Sequence, residues 1–316
     1  MSTVLITGGT GLVGSRLTKL LVQKGYEVIV LTRNPDARPA KPSVTYKHWD
    51  VEKGVIDKDA VAAADFLIHL AGEGVADKRW SKQRKEAIVS SRVKSGELLL
   101  KAVQQHNTRL QTVVSASGIG WYGPDAKEKR KQPVPFVESD SASADFLGET
   151  CRLWEESVQP FKALGKRLVI LRTGLALSNQ GGFLLEIKKP LQMANIATIM
   201  GGGEQVVSWI HIDDLCRMYL FALENAQVEG VYNAVAPAPL TNKAITLLIA
   251  NHRKPKPFIP IHVPAFVLKI VIGEMSVEVL KSATVSAAHI KETGFHFLYP
   301  SADAAIEQLQ AEAASA

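Results

Sequence analysis

The segment TVLITGGTGLVG, residues 3–14, decides the fold expected for this chain. Its apolar run TVLIT is bounded by glycines and is typical of a buried strand. Beyond the glycine-rich turn, Leu17, Leu20 and Leu21 recur at helical spacing until Gly25, which predicts a helix that ends at that glycine. The chain is therefore expected to begin with a strand, a tight turn and a helix.

Strand-like and helix-like segments alternate through the next part of the chain. The runs EVIVLT, DFLIHLAG, QTVVSAS and RLVILRTG predict strands, whereas residues 79–104 and 145–165 predict helices, the second bent or ended near Pro160. Such alternation implies right-handed crossovers and a parallel sheet with helices on both faces. The predicted fold class is α/β, a Rossmann-like doubly wound parallel sheet.

The alternation becomes irregular after Gly174. The segment IHIDDLCRMYLFAL predicts a helix whose start is capped by Asp213 or Asp214. GVYNAVA predicts one more strand, and the final part has short apolar helices and proline-rich loops. We predict a dinucleotide-binding domain and a small, mostly helical C-terminal substrate domain. Their respective ranges are 1–174 with 205–236, and 175–204 with 237–316.

The composition is that of an ordinary globular protein, with 46% hydrophobic and 22% charged residues among 316. The net charge of +6 suits a phosphate-bearing ligand as well as nucleic acid. Basic residues cluster at 127–131 and 253–256, but no aromatic residues are interleaved to stack on bases. We therefore interpret both clusters as solvated loops and expect no nucleic-acid partner.

The chain has two cysteines, Cys151 and Cys216, which support neither a disulfide framework nor a metal site. No apolar run approaches the roughly 20 residues of a membrane span. The N-terminal residues lack the charged and apolar regions of a signal peptide. These features predict a cytoplasmic protein without metal or membrane association, either a monomer or a homodimer.

Three glycines at GxxGxxG spacing follow the first strand and predict a dinucleotide site. Gly8 permits the tight turn, Gly11 lets the backbone approach a pyrophosphate, and Gly14 allows close packing of helix on strand. The phosphates then meet the positive end of the helix dipole. The alternative is a turn with a purely structural role. The expected contacts here are Gly8, Thr10, Gly11, Leu12, Val13 and Gly14.

The second strand ends with Thr32 and Arg33, where an NAD site usually has an acidic residue. A guanidinium can form two hydrogen bonds with a 2′-phosphate, so NADP(H) is favoured over NAD; Arg33 could otherwise be a surface residue. Asp50 is a candidate contact to adenine, and HLAGEG could place backbone along the adenosine ribose. Further expected cofactor contacts are His69, Leu70, Ala71, Gly72, Glu73, Arg92, Ser115 and Leu175.

These residues together resemble the extended, epimerase/dehydratase-like branch of the short-chain dehydrogenase/reductase superfamily. The order of LAGEGVADKRW, SASGIGWYG, SWIHIDD and VPAFVLKIVIGEM resembles the atypical group called epimerase family proteins, which includes short-chain dehydrogenase family 39U. The resemblance covers nearly the whole chain. It implies bound NADP(H), a C-terminal segment similar to the domain DUF1731 that closes a substrate cleft, and a poorly defined activity.

The resemblance also exposes a change in the expected active site. The superfamily uses a serine that orients the substrate oxygen, and a tyrosine whose pKa is lowered by a lysine four residues later. Ser117 matches the serine, whereas alignment of WEE places Leu147 at the tyrosine and Cys151 at the lysine. Arg92 stands where the superfamily has an asparagine on the long helix.

Several residues have both a chemical and a structural interpretation. Cys151 could donate a proton or be a buried packing residue. Tyr122 could replace the missing acid or pack over the cofactor, and Glu138 could face the substrate or the solvent. Trp209 and His211 could line the pocket or serve the core.

The charged residue Arg92 could bind the cofactor, bind an anionic substrate or stabilise an oxyanion.

Three functions follow from the whole pattern. The first is an NADP(H)-dependent oxidoreductase or epimerase/dehydratase-like enzyme with an altered acid and an unknown small-molecule substrate. The second is a catalytically inactive NADP(H)-binding sensor or scaffold. The third is a nucleotide-sugar-binding or structural protein that does not need NADP(H). Retention of Ser117 favours the first.

Overall fold

The computed structural model describes residues 1–126, 134–253 and 257–314. The first basic cluster, 127–131, lies outside the described residues, and Arg253 is the described member of the second. Within the described residues, eight strands form one sheet in the order β12-β7-β6-β5-β1-β2-β3-β4. Its members are β1 (Thr3–Thr7), β2 (Glu27–Thr32), β3 (Val44–Asp50), β4 (Val55–Ile56), β5 (Phe66–His69), β6 (Thr112–Gly118), β7 (Arg167–Thr173) and β12 (Gly230–Ala234).

Six further strands form three short pairs beside the main sheet. They are β8 (Leu175–Leu177), β9 (Ile196–Met200), β10 (Val206–Val207), β11 (Trp209–His211), β13 (Leu240–Thr241) and β14 (Ile259–Val263). Strand β8 pairs with β11 and β9 pairs with β14, both parallel, whereas β10 and β13 are antiparallel.

Helices cover both faces of the sheet and build most of the C-terminal part. They are α1 (Leu12–Gln23), α2 (Lys58–Ala63), α3 (Lys82–His106), α4 (Phe146–Val158), α5 (Phe183–Ala194), α6 (Ile212–Glu224), α7 (Asn242–Asn251), α8 (Ala265–Ile272), α9 (Ser276–Leu280), α10 (Ala288–Glu292) and α11 (Ala302–Ala314). Helix α4 ends two residues before Pro160 and continues as a 3-10 helix, Gln159–Leu164.

The strand order confirms the predicted doubly wound sheet. All neighbours in the main sheet are parallel except β3 and β4, which are antiparallel at one edge. Chain order reverses at β1, which lies between β2 and β5. In open α/β sheets, ligands bind beyond the carboxyl ends of the strands at such a switch point. The carboxyl ends of β1 and β5 therefore mark the place to look for a site.

Apolar side chains fill both faces of this sheet because its strands are covered on both sides. One cluster packs β1 against α1 and α6, and includes Ile6, Leu17 and Leu215. The opposite cluster includes Leu5 and Leu99 and lies under α2 and α3. Alternate residues of β1 thus point to opposite clusters, as the period of a strand requires.

A third apolar cluster holds the C-terminal part together, joining α5, α7 and α11 through residues such as Leu191, Ile249 and Leu309. It includes Val207 and Trp209, which fall in the range assigned to the first domain. The division into 1–174 with 205–236, and 175–204 with 237–316, stays a prediction.

The start of α6 differs from the sequence-based expectation. His211 is the N-cap residue, and its Nδ1 accepts a hydrogen bond from the backbone N–H of Asp213 at 3.1 Å. Asp213 and Asp214 lie inside the first turn. Asp214 instead accepts hydrogen bonds from the backbone N–H groups of Leu298 and Tyr299, each 2.8 Å, so it anchors the C-terminal segment to α6. Over the described ranges, the helices are all too short or too polar to cross a bilayer.

Candidate functional site

The turn between β1 and α1 is shaped by its glycines. Gly8 has a φ of +69° and lies against Leu70, the residue that follows β5. An added Cβ would stand 2.9 Å from the carbonyl carbon of Leu70. An added Cβ at Gly14 would stand 2.2 Å from Gly8 O. Gly11 N–H donates to Gly8 O at 3.0 Å and closes the turn. Only glycine fits where the backbone approaches this closely.

Helix α1 presents an open N-terminus at the switch point. Its N-cap is Gly11, no side chain of the described residues caps its first turn, and that turn holds no acidic residue. By contrast, side chains of Asp57, Ser81 and Asp145 cap α2, α3 and α4. The first N–H groups of an uncapped helix and its dipole attract anions. Thr10 and Gly11 are exposed at this end, and Leu12 and Val13 are half-buried.

The end of β2 lies beside this turn and carries Thr32 and Arg33. Thr32 is buried, whereas Arg33 is exposed. Arg33 lies close enough to Glu73 to lower the pKa of that carboxyl, although the larger effect is a hydrogen bond from Arg84. Asp50, at the end of β3, accepts hydrogen bonds from the backbone N–H groups of Glu52 and Lys53. The charge of Arg33 is therefore felt in the loop that follows β5.

That loop, Leu70–Glu73, is positioned by a buried hydrogen-bond chain. Thr7 Oγ1 accepts from the N–H groups of Leu70 and Ala71, each at 3.2 Å, and contacts His69 Nδ1 at 2.7 Å. His69 Nε2 lies 3.3 Å from the hydroxyl of Ser95, which donates to a backbone carbonyl. The Thr7 hydroxyl therefore donates to Nδ1, and the ring carries its proton on Nε2.

Burial lowers the pKa of His69 to about 3, so the ring stays neutral at physiological pH. Sequence reasoning placed His69 at the site but missed Thr7 and Ser95, which have no distinctive spacing. Gly72 is exposed, and Ala71 is half-buried. The structure thus places backbone of Ala71 and Gly72 at the switch point, where the sequence suggested a ribose contact.

Arg92, on α3, is buried behind this loop with 8% of its surface exposed. Its Nη1 donates to the carbonyls of Glu73 and Ile88, at 3.0 and 2.9 Å. The guanidinium carbon lies 4.8 Å from the centroid of the Trp154 ring. Burial lowers the pKa of Arg92, and the nearby Cys151 raises it. A buried cation is therefore present near Cys151.

Ser117, at the carboxyl end of β6, contacts a buried ion pair. Its Oγ donates to Glu155 Oε1 at 2.7 Å. Arg172 donates to the same carboxylate through Nε at 2.8 Å and Nη2 at 3.0 Å. The Glu155 and Arg172 side chains are 5% and 3% exposed, and the two charges compensate each other. Sequence reasoning named Ser117 but neither of its partners.

The same network encloses Tyr122. Its hydroxyl donates to Asn233 Oδ1 at 2.7 Å and accepts from Arg172 at 3.1 Å. Burial raises the pKa of Tyr122 to about 12, and its ring stacks on Phe136. Glu138 is nearby, because its Oε1 accepts from the backbone N–H of Asn233 at 2.7 Å. The structure thus brings Tyr122 and Glu138 to Arg172 and Asn233, and both are engaged within the protein.

Helix α4 carries Leu147 and Cys151 on the side that faces the end of β6. Leu147 packs on Gly120, where an added Cβ would lie 3.0 Å from the leucine Cβ. Cys151 Sγ lies against Gly118 and Gly120 and is buried. Burial raises the pKa of this thiol to about 11, and Glu155 adds to the increase. Cys151 is therefore a protonated thiol close to Ser117.

Four other candidates lie in different surroundings. Ser115 is fully buried in β6 and its Oγ donates to the carbonyl of Ala116. Leu175 is 40% exposed at the start of β8. Trp209 and His211 are fully buried; their side chains bond to Ala238 O and Gln308 Oε1. The last two therefore have structural partners in the C-terminal part.

Comparison with known proteins identifies the family of this chain. Residues 4–234 match the model of the NAD dependent epimerase/dehydratase family. The chain belongs to this family. Residues 263–309 match a domain of unknown function, DUF1731. The predicted resemblance to epimerase family proteins is thereby confirmed, as is the α/β fold.

Two proteins are similar to this chain over almost its whole length. An epimerase family protein of Staphylococcus saprophyticus is 33% identical over 316 residues, covering 98% of this chain and 99% of its own. The crystal structure of human epimerase family protein SDR39U1 with NADPH has a TM-score of 0.82 and 27% identity, covering 97% of this chain and 98% of that one.

A solved nucleoside-diphosphate sugar epimerase from Corynebacterium glutamicum is 34% identical, with a TM-score of 0.75. It covers 98% of this chain but 58% of its own longer chain. The family relationship therefore extends over essentially the whole chain described here.

Proposed function

We propose that the protein is an NADP(H)-dependent oxidoreductase or epimerase/dehydratase-like enzyme with an altered active site. The observation that carries the proposal is the uncapped N-terminus of α1 at the switch point of the sheet. Ser117 lies at the carboxyl end of β6, two strands away from β1 in the sheet. The carboxyl edge of the sheet can hold both the phosphates of a dinucleotide and a side chain that contacts the substrate.

The turn at Gly8–Gly14 would hold the pyrophosphate on the free N–H groups of α1. Arg33 would bind the 2′-phosphate, which distinguishes NADP(H) from NAD. Asp50 would contact adenine, and the loop 69–73 would lie along the ribose. The presence of NADPH in the human relative supports this choice. Arg92, Ser115 and Leu175 remain proposed contacts, and Ser115 has weaker geometric support because it is fully buried.

The nicotinamide, when bound, supplies or accepts a hydride. Ser117 would accept a hydrogen bond from a substrate hydroxyl while its own proton is directed at Glu155, and it would turn that proton toward a substrate carbonyl. Cys151 holds a proton close to Ser117 at neutral pH, since its pKa is raised to about 11. That thiol is the proposed proton donor. Tyr122 is the second candidate donor, although its hydroxyl is directed at Asn233.

Contacts between the C-terminal part and the helices α3 and α4 support a closed substrate cleft. Lys85 on α3 forms an ion pair with Glu274, which follows α8. Lys281 bonds to Asp145 at the start of α4, at 3.5 Å. These contacts connect both long helices of the site to residues 237–316, the proposed substrate domain.

A second candidate function is an inactive NADP(H)-binding sensor or scaffold. It is favoured because the polar groups near Ser117 already form hydrogen bonds within the protein. The Ser117 hydroxyl donates to Glu155, and Tyr122 is fully enclosed. In this reading, the protein binds the dinucleotide but lacks a free proton donor.

Turnover distinguishes the two functions. NADPH absorbance is followed with a panel of carbonyl compounds and quinones, using wild type and Ser117→Ala. The enzyme proposal expects oxidation by at least one compound and a rate at least tenfold lower in Ser117→Ala. Ser157→Ala is the matched control, because this serine of α4 donates to the carbonyl of Trp154 away from Glu155. Bound NADPH that no compound oxidises supports the sensor instead.

A further inference from the structure

Arg92 has one edge that the protein does not use. Its Nη1 donates to two backbone carbonyls, those of Glu73 and Ile88. In the described part of the chain, Nε and Nη2 donate to no residue, yet neither is a fully enclosed atom. Both nitrogens therefore keep some accessible surface, although 8% of the whole residue is exposed.

The same edge holds carboxylates elsewhere in this chain. Arg16 donates to Asp213 through Nε at 2.6 Å and Nη2 at 3.0 Å. Arg172 holds Glu155 in the same way, and Arg152 holds Glu149. Two parallel N–H groups match the two oxygens of a carboxylate and give a strong, directional contact. Arg92 has the same pair of donors, and no described residue accepts a hydrogen bond from either.

The charge of Arg92 also has no carboxylate counterion among the described residues. Glu73, the acidic residue in the adjoining loop, bonds to Arg84 through Oε2 at 2.8 Å. Among the residues that the structure describes, no carboxylate oxygen lies within 4 Å of the Arg92 guanidinium. A buried cation without a partner costs free energy, which an anionic ligand would offset.

The guanidinium is held rigidly between two neighbours. On one side is Gly72, where an added Cβ would lie 3.0 Å from the Arg92 guanidinium carbon. On the other is the face of Trp154, 4.8 Å away at its ring centroid. Cys151 is close enough for its thiol and Arg92 to affect each other's pKa. Arg92 therefore lies near the proposed proton donor.

We propose that Arg92 binds a carboxylate of the substrate side-on through Nε and Nη2. The substrates would then be hydroxy or carbonyl compounds that bear a carboxylate. This proposal rests on the proposed function, because it assigns a substrate to the same site. The phosphates of the cofactor have other partners there, the α1 N-terminus and Arg33, so Arg92 is left for the substrate.

Calorimetry with simple carboxylates tests the assignment. Acetate, benzoate and malonate are titrated into protein saturated with NADP⁺, and again into protein without it. At least one should bind saturably to wild type and at least tenfold more weakly to Arg92→Lys. Lysine keeps the charge and most of the buried stem but loses the planar pair of donors. Arg152→Lys, which alters an exposed pair of the same geometry, should bind like wild type.

Three outcomes of these titrations distinguish the carboxylate proposal from the cofactor proposal. If no carboxylate binds to wild type, or Arg92→Lys binds it equally well, the proposal is wrong. If Arg92→Lys weakens NADP⁺ itself at least tenfold and leaves carboxylate binding unchanged, the partner of Arg92 is a cofactor phosphate, which also overturns it. If NADP⁺ does not bind but the carboxylate still depends on Arg92, the cofactor proposal fails while the anion site stands. Thermal unfolding of each variant verifies that it is folded.

Discussion

Ser117 Oγ donates a 2.7 Å hydrogen bond to Glu155 Oε1, joining the end of β6 to the middle of α4. Glu155 lies one helical turn after Cys151 and is held by Arg172. The serine is therefore oriented by a buried carboxylate rather than by a neighbouring tyrosine. Ser117, Glu155 and Arg172 form a network whose members can be changed one at a time.

Glu155→Gln should strongly destabilise the protein, because it leaves the buried Arg172 without its counterion. Removing one partner of a buried ion pair costs about 3–5 kcal/mol. Urea unfolding measures the change in the free energy of unfolding. Glu156→Gln, next in sequence but in an exposed pair with Arg152, should leave the unfolding midpoint nearly unchanged. Equal effects of the two substitutions would show that the buried pair contributes little.

Gly14→Ala should weaken NADPH binding at least tenfold and lower the stability by roughly 1–3 kcal/mol, the usual cost of overpacking. Its new Cβ would otherwise stand 2.2 Å from Gly8 O, so the turn must open. NADPH fluorescence and thermal unfolding measure both effects. Gly202→Ala is the matched control, since nothing lies within 4 Å of its Cβ position. Wild-type affinity in Gly14→Ala would contradict the role given to this turn.

The stability of the wild type should fall as the pH drops below 6.5. His69 has a pKa of about 3 when folded because it is buried, but titrates near its ordinary value of 6.5 when unfolded. Between these values the unfolded chain binds a proton that the folded chain does not, so acid favours unfolding. This one group should lower the free energy of unfolding by about 1.4 kcal/mol for each pH unit below 6.5.

Urea unfolding between pH 7.5 and 4.5 compares wild type with His69→Gln, which should lose that part of the pH dependence. His296→Gln, at an exposed position, should keep it. An identical pH profile for wild type and His69→Gln would mean that His69 is protonated in the folded protein.

Both thiols should be nearly inert in the native protein. Burial raises the pKa of Cys151 to about 11 and of Cys216 to about 12, and the thiolate is the reactive form. An aromatic disulfide reagent at pH 7.5 should label neither thiol quickly in buffer and both in guanidinium chloride. Cys216→Ser isolates Cys151. Rapid labelling of Cys151 in the folded protein would show that it is a thiolate or exposed.

Much of the fold was predictable because it depends on local patterns. The glycine spacing, the apolar runs and the alternation of strands and helices predicted the β1–α1 turn and the parallel sheet correctly. Ser117, Arg33 and the loop after β5 were placed at the sheet edge for the same reason. The start of α6 was predicted less well, because His211 caps it while Asp213 and Asp214 lie in its first turn.

The buried polar contacts were not predictable from one sequence. Thr7 and His69 are 62 residues apart, and Glu155 and Arg172 are 17 apart, yet each pair meets in the core. The sequence does not show that the arginine of a strand and the glutamate of a helix will lie on faces that pack together. The pairing of β14 with β9 depends likewise on tertiary packing, since the two are separated by α6, β12 and α7.

The most direct test of the account is calorimetric titration of NADPH and NADH into wild type and Arg33→Ala. Wild type should bind NADPH more tightly than NADH. Arg33→Ala should lose roughly 10- to 100-fold in NADPH affinity, the equivalent of about 1.5–3 kcal/mol for hydrogen bonds to a charged group, and change little toward NADH. A wild type that binds neither dinucleotide, or an Arg33→Ala variant that binds NADPH as well as wild type, would contradict it.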